Sequence, residues 1–298
     1  MLLQHKIKPA SNTFRFMSYA KHSPIRALDF LANRQDNLFV YLPSSMNSST
    51  FLPHQFEAPK RPSLVLLGTE PWRAAFEYAS HKFTAAKHGV TGDGHTVVIF
   101  PGMATDGRSV APLRKFCQSL GYQASDWGRG FNMGPQGNMD AWLADLASHT
   151  QTLLPSPGSN ATLIGWSLGG IYAREVAKLI PSQVRQVITI GTPFNADADH
   201  TNVGWLFRLL TNSPSTFDAA LAKHLRVPPA VPTTSIYSRA DGVVAWQSCL
   251  HDGSRARVQD IEVSGSHTGM GWNPAVMEIV GDRLAQKLGQ WRPYAMAK

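Results

Sequence analysis

Cysteine is nearly absent from this chain, with Cys117 and Cys249 its only two. That number cannot staple a secreted scaffold, and without a CxxC pair it offers neither a zinc knuckle nor a redox motif, so two buried thiols are expected. Long apolar runs are also missing, since none approaches the roughly 18 residues of a membrane span. Acids are scarce at the start: Lys6, Lys8, Arg15, Lys21 and Arg26 all precede the first one, Asp29. No continuous apolar stretch accompanies them, as a secretory leader requires, although the composition also suits a transit-type leader. A cytoplasmic protein is expected, with at most weak peripheral association of its basic N-terminal segment with acidic surfaces.

Residues 1–90 hold eleven basic against five acidic residues, so +6 of the formal net charge of +8 lies there. The basic residues are scattered and no nucleic-acid motif accompanies them, so no nucleic-acid partner is expected. The 298 residues are 43% hydrophobic and 16% charged, the balance of an ordinary globular chain long enough for one large core.

From residue 94 onward, short β-branched runs alternate with helical periodicity, the pattern of βαβ units on a parallel sheet. The strands predicted are 97–100, 122–127, 161–165, 186–190, 233–237 and 258–263. Between them, Val110, Leu113, Phe116, Cys117 and Leu120 recur at helical spacing before a stop at Gly121. Asn138 caps a second helix carrying Trp142, Leu143, Leu146, Leu153 and Leu154. A third helix spans 168–180, and Asn273-Pro274 opens a last one. Residues 195–232 break the rhythm with Trp205, Leu206, Phe207, Leu209 and Leu210, then Phe217, Leu221 and Leu225, which read as two short amphipathic helices of a cap. Upstream, 43–62 reads as loop and 70–87, opened by Glu70-Pro71-Trp72, as helix. The expected fold is therefore α/β: a doubly wound, mostly parallel sheet of at least six strands with a small helical cap. A basic, partly helical extension over 1–90 precedes the α/β domain over 91–298 with its cap at 195–232.

The sharpest local signal is Gly165-Trp166-Ser167-Leu168-Gly169, followed by Gly170, between an apolar strand and an amphipathic helix. A serine hydroxyl is a weak nucleophile until a tight strand-to-helix turn lifts it to where a base can reach it. Glycines suit positions 165 and 169 because a β-carbon there crowds the neighbouring backbone. The helix that starts after Ser167 aims free N–H groups at developing negative charge. Further along the chain, Asp241 stands in the loop after one apolar strand and His267 in the loop after the next, both on the edge where open α/β sheets bind ligands. Ser167, Asp241 and His267 are thus the expected nucleophile, orienter and base. The backbone N–H groups of Leu168 and of Met103, in the turn Pro101-Gly102-Met103-Ala104, are the expected oxyanion donors. Other combinations exist: His251-Asp252 are adjacent in one loop, Asp260 falls inside a strand, and Asp197-x-Asp199-His200 matches no strong metal motif. Neither metal nor organic cofactor is expected.

Gly92-Asp93-Gly94-His95, Pro101-Gly102-Met103, 127–135, 165–170, Gly191-Thr192-Pro193-Phe194 and 237–246 together resemble the α/β-hydrolase superfamily, on its bacterial lipase-like and esterase-like side, over about residues 92–292. Two features depart from many lipases: Pro101-Gly102 stands where they carry His-Gly, and Phe194-Asn195 follows Gly-Thr-Pro where they carry His. The resemblance implies a serine-dependent hydrolase of small or lipid-like carboxylic esters. Trp166, Trp205, Leu206 and Leu209 are then candidates for the substrate pocket, with plain packing of a cap helix as the equal alternative for the last three, and Asn132 is read first as packing support and second as a hold on the serine turn or the oxyanion loop. An acyltransferase with the same three groups, and a binding module without turnover, are the alternative readings.

Overall fold

The structure, a computed structural model, describes residues 62–83, 92–195 and 219–295. All of them lie in one compact unit spanning Gln55–Lys298. Six strands, β1 (Thr96–Phe100), β2 (Gln123–Asp126), β3 (Ala161–Trp166), β4 (Val184–Ile190), β5 (Thr233–Tyr237) and β6 (Val258–Glu262), pair in the order β2-β1-β3-β4-β5-β6. Every pairing is parallel. The described α-helices are α1 (Leu64–Phe83), α2 (Ala111–Ser119), α3 (Met139–Thr152), α4 (Leu168–Leu179), α5 (Ala219–Arg226) and α6 (Pro274–Leu284).

The strand order explains where a site forms. The chain moves outward from β1 to β2 through α2, then returns across β1 to β3 through α3, so the two crossovers leave on opposite faces of the sheet. The C-terminal ends of β1 and β3 border the crevice at this reversal, in the register Phe100 beside Gly165. Both strands are buried throughout, because each face is covered. Val98, Phe100 and Leu163 pack with Leu146 of α3, Ile171, Tyr172 and Val176 of α4 and Leu225 of α5. Val97, Ile99, Ile164 and Ile188 pack on the other face with Leu113 and Phe116 of α2 and Val276 and Val280 of α6. Burying each such side chain contributes roughly 1.5–3 kcal/mol, so these two layers dominate the stability of the sheet.

The helix starts follow the sequence. Asn138 Oδ1 accepts from Ala141 N at 2.9 Å, and Asn273 Oδ1 accepts from Ala275 N at 2.9 Å ahead of Pro274. Both cysteines are buried and free, and burial pushes the Cys117 thiol up to about 12. Among the boundaries that differ from expectation, those of three elements have a local cause or a larger shift. Strand β2 is shorter at both ends, because the Tyr122 ring turns into the core edge-on to His95 and Trp127 Nε1 closes a turn onto the Gly130 carbonyl at 3.0 Å. Strand β4 begins two residues early, at Val184. Helix α1 starts at Leu64 rather than at Glu70: Ser63 caps it, its Oγ accepting from Leu66 N at 3.2 Å, and the helix runs on through Pro71.

Of the cap residues, α5 is described, and Ala222 and Leu225 are its buried side chains. Trp205, Leu206, Leu209 and the Asp197-x-Asp199-His200 cluster lie outside the described residues. No described helix is long and apolar enough to cross a membrane.

Candidate active site

Ser167 sits between the last residue of β3 and the first of α4 with φ 55 and ψ −123. A positive φ is uncommon for a residue with a side chain and is retained only where surrounding contacts fix it. Here Ser167 N donates to Ile190 O at 2.8 Å, and Ser167 O accepts from Gly170 N at 3.0 Å, which ties the turn to β4 on one side and to its own helix on the other. Two close approaches require glycine. A β-carbon on Gly165 would overlap the Gly169 carbonyl, and one on Gly169 would overlap the Phe100 carbonyl of β1.

Asp241 lies in the loop after β5 and His267 in the loop after β6. Both are buried, and His267 Nδ1 stands 2.6 Å from Asp241 Oδ2. An ionised carboxylate can only accept, so Nδ1 carries the proton and Nε2 remains as the basic nitrogen. The other oxygen, Oδ1, accepts from Val243 N at 2.8 Å and Val244 N at 2.7 Å, which fixes the carboxylate plane. Ser238 Oγ donates to Gly265 O at 2.7 Å and accepts from Ala240 N at 3.1 Å, binding the acid loop to the histidine loop. Burial pushes the imidazole of His267 down, but the charge and hydrogen bond of Asp241, with the charge of Glu70, outweigh it and hold its pKa above the ordinary histidine value.

The structure thus joins Asp241 to His267 and presents Ser167 at the same edge of the sheet. Among the described residues no hydrogen bond links the Ser167 hydroxyl to the imidazole, a contact that in enzymes without bound substrate is often long. Trp166, a candidate for the pocket, packs in the core layer of α2 and α6, and its Nε1 donates to His267 O at 3.2 Å. Its observed contact is therefore with the histidine loop.

Leu168 is the first residue of α4, where backbone N–H groups lack helical acceptors. Met103 lies across the crevice in the turn after β1, and Asn132 staples that turn. Asn132, fully buried, donates through N to Thr105 O at 2.7 Å and through Nδ2 to Pro101 O at 2.9 Å, and its own carbonyl accepts from Ala104 N at 2.8 Å. Its side-chain oxygen accepts from Tyr172 OH of α4 at 3.2 Å, so one side chain links the turn after β1 to the elbow helix. Sequence reasoning placed Asn132 near this loop without its partners.

It missed Glu70 and Glu77 altogether. Glu70 Oε1 accepts from Gly242 N at 2.7 Å and from His267 N at 3.0 Å. Glu77 Oε1 accepts from Ser266 N at 2.9 Å and Oε2 from Ser266 Oγ at 3.1 Å. The signal available was their spacing of seven, which puts both on one face of a helix.

His251 and Asp260 form a second histidine–carboxylate pair, Nδ1 to Oδ1 at 2.6 Å. Its Nε2 faces the fully buried guanidinium of Arg174 at 2.8 Å, so this imidazole accepts from a cation and has no lone pair left to act as a base. No group of metal-ligating side chains occurs among the described residues.

No family model matches the chain. A pimeloyl-[acyl-carrier protein] methyl ester esterase from Pseudoalteromonas atlantica is 46% identical to it over 50 residues, 17% of this chain and 18% of that protein. The crystal structure of Aspergillus fumigatus lipase B superposes with a TM-score of 0.52 at 23% identity, covering 69% of this chain and 56% of the lipase. The chain therefore spans well under two thirds of either protein. A six-stranded parallel sheet reversing at β1, a tight serine turn between β3 and α4, and the superposition on a lipase show that the chain has the α/β-hydrolase fold.

Proposed function

We propose that the chain hydrolyses carboxylic esters through an acyl-enzyme on Ser167, with His267 as general base and Asp241 as its orienter. The observation that carries this reading is the strained Ser167 turn at the same sheet edge as the Asp241–His267 pair. An idle site needs neither the strain nor a buried carboxylate aimed at an imidazole. The methyl ester esterase matched over 50 residues agrees with an ester as substrate.

In the first step His267 Nε2 takes the hydroxyl proton as Ser167 Oγ bonds to the ester carbonyl carbon. The carbonyl oxygen becomes an oxyanion held by the N–H groups of Met103 and Leu168. The C–O bond to the alcohol then breaks, and the imidazolium returns its proton to the departing oxygen. Water deprotonated by the same nitrogen attacks the acyl carbon, and Ser167 leaves with the proton restored. Asp241 keeps Nδ1 protonated throughout and stabilises the imidazolium.

Two measurements test the proposal. A fluorophosphonate incubated with the full chain is expected to label Ser167, located by peptide mapping. Ser167→Ala is expected to lower kcat on a short p-nitrophenyl ester at least about 1,000-fold with an unchanged circular dichroism spectrum. Retention of wild-type hydrolysis by the alanine variant would remove Ser167 from the mechanism.

A further inference from the structure

Helix α1 precedes the first strand of the hydrolase sheet, yet it touches both loops of the proposed acid–base pair. Its inward face is Leu66, Glu70, Arg73, Ala74 and Glu77. The Leu66 carbonyl lies so close to Gly242 that a β-carbon there would overlap it, and Gly269 likewise leaves room for the Glu77 carboxylate. One oxygen of the buried Glu70 accepts from Gly242 N, next to Asp241, and from the N–H of His267 itself. A single carboxylate oxygen thus spans the two loops whose side chains must meet.

We propose that Glu70 is a positioning residue of the site: anchored on α1, it sets the placement of the His267 loop against the Asp241 loop. The inference rests on the reading of His267 as general base. Two N–H donors share Oε1, so neither loop can shift by an ångström without lengthening a bond in a buried setting, where an unsatisfied donor is costly. Glu77 repeats the arrangement one residue earlier, at Ser266.

Among the described residues, the charged groups about the imidazole are Asp241 from the loop after β5 and Glu70 from α1, with Arg73 3.8 Å from Glu70 and Glu77 bound to the adjacent Ser266. Trp166 from β3 and Gly191 after β4, which also border it, are uncharged. The Glu70 charge favours the protonated imidazole. A purely structural strut would not influence titration in this way when charge alone is removed.

The test uses the full chain with Glu70→Gln and Glu70→Ala. Gln keeps an oxygen that can accept both backbone bonds, so Glu70→Gln is expected to fold normally. Its His267 imidazole, followed by NMR, is expected to titrate at lower pH than in the wild type, and the limb of kcat/KM that rises with pH is expected to move the same way. Glu70→Ala also loses both bonds, and its kcat is expected to fall about 10- to 100-fold with little change in KM, the scale of an ångström misplacement. Wild-type kcat in a folded Glu70→Ala overturns the proposal, and if that variant does not fold, Glu70→Asp, one methylene short of both N–H groups, decides in its place by the same reading. If the wild type cleaves no ester and Ser167 takes no phosphonate, the hydrolase reading fails while the NMR titration still decides whether Glu70 acts on His267.

Discussion

Asp241 divides its carboxylate between two tasks: Oδ1 holds the loop through Val243 and Val244, and Oδ2 holds the imidazole. An asparagine can keep the first set through its carbonyl and not the second in the required tautomer. Asp241→Asn is therefore expected to fold, to lose kcat by about 10,000-fold, and to shift the rising pH limb downward. The sign follows from charge: Asp241 raises the His267 pKa, so its removal lets the imidazole deprotonate at lower pH. A rate profile recorded across pH checks both effects, and wild-type turnover would exclude the assigned role. The placement of Ser167, Asp241 and His267 at one edge of the sheet was legible in the sequence because each follows an apolar strand in a short glycine-bearing segment. Glu70 was not legible, since its partners are backbone N–H groups about 170 and 200 residues away, which leave no mark in composition.

Among the elements, the strands were read nearly to the residue, because β-branched runs buried on both faces have no rival interpretation once punctuated by turns. Helix α1 was harder: its large apolar residues Leu64, Val65, Trp72 and Phe76 are mostly exposed, while the packed face carries two glutamates. Hydrophobic periodicity therefore points to the wrong face. The glycines of the serine turn act at this scale, since they let β3, α4 and β1 approach one another. Gly169→Ala must force α4 away from the Phe100 and Pro101 carbonyls. The expected cost is about 3 kcal/mol, or roughly 6–12 °C in Tm. Gly68→Ala, at an exposed α1 position with open space around it, is expected to leave Tm level or slightly raised. Equal melting of the two variants would show that the close approach at the elbow carries no constraint.

For the whole molecule, the buried knot of Arg174, His251 and Asp260 ties α4 and β6 together, and Arg174 also donates to Leu225 O at 3.1 Å at the end of α5. Burial, with Arg174 adding to it, outweighs Asp260 and keeps the His251 pKa below the ordinary value. The unfolded chain therefore takes up a proton that the folded one resists, and stability is expected to fall as pH drops from about 7 toward 5. His95, also pushed down by burial despite Asp93, adds to this trend, whereas His267, held up, opposes it. Thermal melting across that range is expected to show a shallower slope for His251→Gln than for the wild type, and parallel slopes would refute the assignment. The carboxylate on α1 is synthesised long before its donors at Gly242 and His267, 172 and 197 residues later. A ribosome-bound chain that already displays the serine turn still lacks the late loops that complete the bridge. The order of translation itself then delays assembly of the proposed acid–base pair until the chain has emerged past His267.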